Sequence, residues 1–350
     1  MEQESLRLNE EWRSPLWMLG TSPKLEGLVH FLTAIKERLT EEEDAPVALC
    51  FSNEYLGEVR REFNEMLRQG EARLHELAYL LSQQLLSVFQ VQSVVIAEAP
   101  TSHERFSVVQ MLNPESLFNI TDIDLGTYQL KKLLIRDGES WSTPALVSNV
   151  VEYVATKPNV HGVHRIFSRI KAEEEIWNKV TDEIFLLDTL VKRDKTLVSY
   201  SRFVKDVFGL KIVVGTEKEA RLCHDFLEQV RFMPNPSVAG YEGLEFIETK
   251  EHLEESDRKA SGWQAIKSVV RWGGRTFEVQ VQPMHNYLAE KEQLTSESHS
   301  GFKSRREAIR DQIAKDIPLF QFYRDLLKWL FLNENDVPVP SFQHVTLIAT

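Results

Sequence analysis

The sequence predicts an α+β fold, and three observations carry that reading. Apolar runs of strand length alternate with longer stretches in which apolar residues recur at helical spacing. VFGLKIVV, residues 207–214, is a continuous apolar run of the kind that forms a buried strand. Ala265–Trp272 and Arg275–Gln282 flank Gly273-Gly274, a two-residue turn between alternating strands that marks a hairpin. The chain has 350 residues. At roughly 100–200 residues per domain, two domains or one large one are expected.

The elements follow in order. Leu25, Leu28, Val29, Leu32 and Ile35 share one side of a helix predicted over 24–42, and APVALCFS (45–52) suits a strand. A long helix is predicted over 55–89 with a break near Gly70, then strands at 91–100 and 105–112 around a turn at Pro100 and Ser102. Residues 128–136 read as a strand running into the turn Asp137-Gly138. TKPNVHG (156–162) combines Pro, Asn and Gly and gives the best boundary, so 1–155 is expected to be an α/β domain of its own. A second domain covers 156–312: a helix over 163–192 with a break, the strand 207–214, a helix over 217–229, and the hairpin. A helix and an extended tail close the chain over 313–350.

Composition excludes several classes of function. An apolar fraction of 42% with 27% charged residues is that of a globular chain. Cys50 and Cys223 make no disulfide framework and fit a reducing cytoplasm, and the acidic N-terminus is no secretory signal. No apolar run has the length of a membrane span, so no membrane partner is expected. The net charge of −12 argues against a general nucleic-acid coat. It is unevenly spread, with −10 in residues 1–150 and −2 in the rest, which leaves the second half better suited to a polyanion. The first half shows no chemical motif and reads as a structural or partner-binding domain, with a protein partner or a second copy meeting residues 1–155.

The second half carries the candidates for chemistry. Asp206 stands just ahead of strand 207–214, and Glu278 projects with Gln280 and Gln282 from one face of a strand whose other face holds Phe277, Val279 and Val281. Arg165, Arg169, Lys171 and Lys179 supply cations nearby in sequence. Carboxylates at strand edges hold a hard Mg²⁺ through oxygen, and cations offset the charge of phosphates. Each residue has a plainer reading as well. The cations would form a solvated helix face, Asp206 would cap or end a helix, Trp263 would be core, and Glu278 would be the cross-strand partner of Arg271. His224-Asp225 reads as a helix-surface pair, and His161 with His164 lacks a third ligand.

Four segments add spacing. RIKAEEEIWNKV (169–180) resembles the ATP-binding segment of RelA/SpoT-type alarmone synthetases, with Arg169, Lys171 and Lys179 at the basic positions. VKDVFGLKIVV (204–214) resembles that family's D-x-x-G-x-R strand and puts the metal-binding carboxylate at Asp206. KASGWQAIK (259–267) is similar to its K-P-N-G-Y-Q-S-L-H loop, and FEVQVQP (277–283) to its V-E-I-Q-I-R-T strand. HSGFK (299–303) is loosely similar to the A-H-W-x-Y-K block. The blocks keep the family's order over about 160–310.

The resemblance implies a divergent member with a nucleotidyltransferase-like mixed β-sheet flanked by helices, preceded by the separate N-terminal domain. It implies transfer of pyrophosphate from ATP to the 3′-hydroxyl of GDP or GTP, with Mg²⁺ as cofactor on Asp206 and Glu278. It places Arg169, Lys171 and Lys179 on ATP, and Lys259, Trp263 and Gln264 on the acceptor, the Trp263 ring stacking on the base. Departures are visible at Glu175 (Ser in the family), Lys211 and Gln282 (both Arg), Ala260-Ser261 (Pro-Asn) and Lys267 (His). A carboxylate at 175 beside a triphosphate is repulsive unless Lys179, one turn on, pairs with it. The departures leave two alternatives, a degenerate nucleotide sensor and an enzyme that modifies the 3′ end of tRNA.

Overall fold

A computed structural model describes residues 16, 19–20, 22–41, 46–102, 104–113, 122–138, 140–171, 173–186, 204, 206–232, 243–254, 263–295, 310–331 and 339–349. The fold is mixed α+β, built on a mixed sheet flanked by helices. It divides into two compact units: Met1–Leu67 with Ala172–Val204 and Ser300–Thr350, and Arg68–Lys171 with Lys205–His299. Among the described residues no helix is long and apolar enough to cross a membrane.

The first unit is mainly helical. It holds α1 (Pro23–Glu41), β1 (Val47–Phe51), the opening turns of α2 (Asn53–Leu85), and further elements from later in the chain. Among those, β12 (Val345–Ala349) pairs in parallel with β1. Helices α4 (Glu173–Ile184) and α7 (Pro318–Phe331) bury their apolar stripes here, and Trp177 of α4 stacks on Phe331 and packs against Phe63. Tyr323 donates its hydroxyl to the Leu32 carbonyl at 2.7 Å, which ties α7 to α1.

The second unit holds an eight-stranded sheet in the order β3-β2-β6-β7-β8-β11-β10-β9. Its strands are β2 (Phe89–Glu98), β3 (Arg105–Leu112), β6 (Ala145–Ala155), β7 (Val163–Ile170), β8 (Phe208–Val214), β9 (Glu245–Glu251), β10 (Ile266–Trp272) and β11 (Arg275–Pro283). Of the pairs, β8–β11 is parallel and the others are antiparallel. Helix α3 (Asp122–Leu130) and the small hairpin of β4 (Ile135–Asp137) and β5 (Ser140–Ser142) lie between β3 and β6 in sequence. Helix α5 (Glu217–Gln229) packs on β8, β10 and β11, and α6 (Met284–Thr295) follows β11 directly. Gly273 and Gly274, both at positive φ, form the expected tight turn of the β10–β11 hairpin.

Several expectations are corrected. The boundary expected at 155/156 falls inside the sheet, because β6 and β7 are antiparallel neighbours in register from Val151↔Ser168 to Val154↔Arg165. Residues 163–170 are a strand, not the start of a helix. A bulge between Val163 and Arg165 sets the buried Val163 and Ile166 three apart, a spacing that imitates a helix before period two resumes at Ser168. Helix α2 runs through Gly70 without a break. The glycine is there for close approach, since a Cβ at 70 would overlap the Phe208 ring. Tyr128–Leu130 end a helix, and the strand starts only at Ile135.

Candidate functional site

Strand register sorts the side chains of the large sheet onto two faces. One face carries Ile166, Leu210, Ile212, Phe277, Val279, Val281 and Val270, all buried. The other carries a transverse row of mostly polar residues in which neighbours are in register: Gln92, Glu152, Phe167, Lys211, Gln280 and Lys267. The adjacent row runs Arg169, Gly209, Glu278, Val269. Segments 204–214 and 277–283 thus lie largely on the neighbouring strands β8 and β11, segment 169–180 starts at the end of β7, and Arg169, Lys211, Glu278 and Gln280 share one face.

Gly209 gives the second row its shape. It stands in register between Arg169 and Glu278 and has no side chain, and the Arg169 stem lies over it, with Cγ and Nε 3.4 and 3.5 Å from where a Cβ would be. Its φ is not in the left-handed region, and a Cβ there would meet the Arg169 side chain only at ordinary van der Waals distance, so the glycine lets the guanidinium stem lie close over β8 without being forced by the backbone.

Charges on this face are matched in pairs. Lys171 Nζ lies 2.7 Å from Asp206 Oδ2, Lys211 Nζ 2.5 Å from Glu290 Oε2, and Arg165 Nη1 2.5 Å from Glu152 Oε1. Lys267 pairs with Glu278, which is only 4% exposed and also accepts from Gln280 Nε2 at 2.6 Å. Arg169 is exposed and, among the described residues, has no ion-pair partner. Glu278 is therefore not the partner of Arg271, which sits opposite Thr276 and reaches Glu245. Asp206 precedes β8 by two residues and neither caps nor ends a described helix; the backbone N–H of Lys171 donates to the Val207 carbonyl beside it at 2.8 Å.

Trp263 is half-buried, not core. Its indole N–H donates to Glu290 Oε1 at 2.6 Å, and its ring lies 5.7 Å from that of His252. Burial works to raise the Glu290 carboxyl, but the Lys211 ammonium and the hydrogen bonds from Lys211, Gln282 and Trp263 outweigh it and hold the group below its ordinary value. Gln264, expected to face the acceptor, is buried and turns its amide inward. Its Nε2 donates to the Leu253 carbonyl (2.9 Å) and Glu217 (2.8 Å), its Oε1 meets His285 Nε2 (2.6 Å), and its backbone N–H donates to Asn286 Oδ1 (3.1 Å). This side chain anchors the loop that carries Trp263.

Lys179, the third basic position of the ATP-like segment, belongs to α4 of the first unit, whereas Arg169 and Lys171 belong to the second. Glu175 lies 3.8 Å from Arg310, a buried guanidinium that also grips Asp182 at 2.9 and 3.1 Å. Lys259 lies outside the described residues. Glu290 was not singled out in the sequence. Its position on the helix after β11 was the available signal, because a strand-to-helix junction returns its first turns over the strand's end. His224 is not on the surface: it is buried, with Nε2 3.0 Å from Ser268 Oγ, and burial holds its pKa below the ordinary value. Among the described residues, His224, Asp225 and Glu228 can bring one ligand atom each to within 4.8 Å of one another.

Asp206 and Glu278 are both carboxylates, the donor type a hard divalent cation takes, and each has a lysine ammonium against one oxygen.

No protein-family model and no curated protein matches the sequence. Among solved structures, the chain is similar to the small alarmone synthetase 1 from Bacillus subtilis bound to its product pppGpp. The TM-score is 0.24 and the identity 15%, over 43% of this chain and 80% of that one.

Proposed function

We propose that the chain is a Mg²⁺-dependent pyrophosphotransferase that uses ATP as donor and the 3′-hydroxyl of GDP or GTP as acceptor. One observation carries the reading: the row Arg169–Gly209–Glu278, in which a guanidinium with no ion-pair partner among the described residues lies over Gly209, next in register to a buried carboxylate. The order of the four family-like segments agrees with it.

In the reaction, the acceptor 3′-oxygen forms a bond to the β-phosphorus of ATP. The bond from that phosphorus to the α,β-bridging oxygen breaks, and AMP leaves with that oxygen. The hydroxyl proton passes to the Glu278 carboxylate and from there to solvent. Mg²⁺, held by Asp206 and Glu278, supplies Lewis-acid stabilisation of phosphoryl charge. Lys171 and Lys267, each paired with one of those carboxylates, are the cations that would offset phosphate charge beside them. Arg169 is suited to both phosphate and the adenine face, because guanidinium is planar and permanently charged. Trp263 offers its ring to the acceptor base; such stacking is worth about 1–3 kcal/mol. In this reading Lys259 meets the acceptor phosphates, and Gln264 acts by holding the segment that carries Trp263.

The test is incubation with ATP, Mg²⁺ and a panel of GDP, GTP, ATP and tRNA, scored for AMP and for the modified acceptor. AMP release with a guanine nucleotide is expected, and its loss in Asp206→Asn. A wild-type protein that releases no AMP with any acceptor overturns the reading. A second reading, a nucleotide-binding module without turnover, is favoured by the pairing of both carboxylates with lysines; it predicts nucleotide affinity in the same assay and no AMP.

A further inference from the structure

Glu290 on α6 gathers three donors from three other parts of the second unit. Oε1 accepts the Trp263 indole N–H at 2.6 Å from the segment before β10. Oε2 takes the Lys211 ammonium at 2.5 Å from β8 and the Gln282 amide at 3.2 Å from the end of β11. Gln282 is fully buried, and Lys211 and Glu290 are each a little over a quarter exposed, so the cluster is shielded from solvent on one side. An indole nitrogen is a donor only, and a bond to a carboxylate is charge-assisted, so the Trp263 ring takes its orientation from this oxygen. Two of the family departures, Lys211 and Gln282, both end on this carboxylate. Tyr287 on the same helix and His252 against the Trp263 ring are the other titratable groups beside the cluster.

We propose that Glu290 is a positioning residue that sets Trp263 and Lys211 together, so that a change at either is felt at the other through one carboxylate. The role of the Trp263 ring as the surface for the acceptor base rests on the function proposed above. The coupling itself rests on the three bonds alone. A carboxylate can accept from both sides at once. A glutamine of the same shape cannot, because its NH₂ would face a second donor, so Glu290→Gln breaks one of the two contacts even though it is isosteric.

The indole N–H signals in ¹⁵N–¹H spectra test this without any turnover, with the Trp263 signal assigned by its loss in Trp263→Phe. In the wild-type background Lys211→Met is expected to move the Trp263 signal; in Glu290→Ala, or in Glu290→Gln if the alanine variant does not fold, the same substitution is expected to leave it in place. Equal movement with and without Glu290, or none in either, overturns the proposal. In the transfer assay, Glu290→Gln is expected to raise the acceptor KM roughly tenfold, the cost of about 1.4 kcal/mol, with kcat within about threefold; an unchanged KM overturns the positioning role. Absence of AMP release from the wild type would remove the proposed function and leave the indole result standing.

Discussion

The two faces of the eight-stranded sheet are made by alternate residues of the same strands, yet they obey different rules. On one face Phe277, Val279, Val281, Leu210 and Ile212 are closed off from water, with α5 and the second half of α2 against this side of the sheet. On the other, Glu278, Gln280, Lys211 and Lys267 are held by ion pairs and amides. Burial on the first face is a matter of area and shape; on the second it costs desolvation, and Glu278, Lys211 and Lys267 are each matched with an opposite charge. A strand with period two thus separates stability from chemistry one residue apart, and substitutions at neighbouring positions should fail in different ways.

The largest expected effect is on the polar face. Glu278→Gln should lower AMP release by roughly 10²–10⁴-fold, the usual contribution of a positioned acid–base group, with a thermal midpoint close to wild type. A midpoint that falls with activity would erase the distinction between the faces. One residue earlier, Phe277→Ala should cost about 3–5 kcal/mol of stability, read from urea midpoints, while nucleotide affinity of the folded fraction is kept. Gly70→Ala should cost about 1–3 kcal/mol by overpacking against Phe208, with Phe208→Leu in the same chain recovering part of the loss.

The smallest effect concerns pH and belongs to the apolar face. Burial depresses the His224 pKa from its ordinary 6.5. Between 6.5 and the lower folded value the unfolded chain holds the extra proton, so stability falls as pH drops through that window and levels off below it. His224→Gln, which can still reach Ser268, should flatten this slope in thermal melts; an unchanged slope would assign the titration to another group.

Local patterns were the legible part of the sequence. The hairpin, the strand 208–214 and the helix 217–229 were readable because turn glycines and apolar runs are local signals. The strand at 163–170 was not, because a bulge disguised its period, and with it went the fact that residues 89–155 share a sheet with the hairpin. Pro, Asn and Gly at 156–162 mark a turn between two paired strands as well as they mark a linker, and only pairing tells the two apart. At the proposed site, Asp206, Glu278 and Arg169 were singled out by the resemblance of their segments. Glu290 and the place of Gly209 between Arg169 and Glu278 depend on which strands adjoin, a property of tertiary register with no local signature.

The position of β11 has a consequence for how the protein is made. β11 lies between β8 and β10, although 60 residues separate the end of β8 from its start. As the chain leaves the ribosome, β8 exists as an open edge until residue 283 has emerged, and such an edge is open to wrong partners. Long-range parallel pairing is intrinsically slow, so insertion of this strand is the step expected to limit the rate of sheet assembly. The same step carries Glu278 to Gly209. A nascent or truncated chain that stops short of β11 would hold Arg169 and Lys211 without the strand that brings Glu278 and Gln280 beside them.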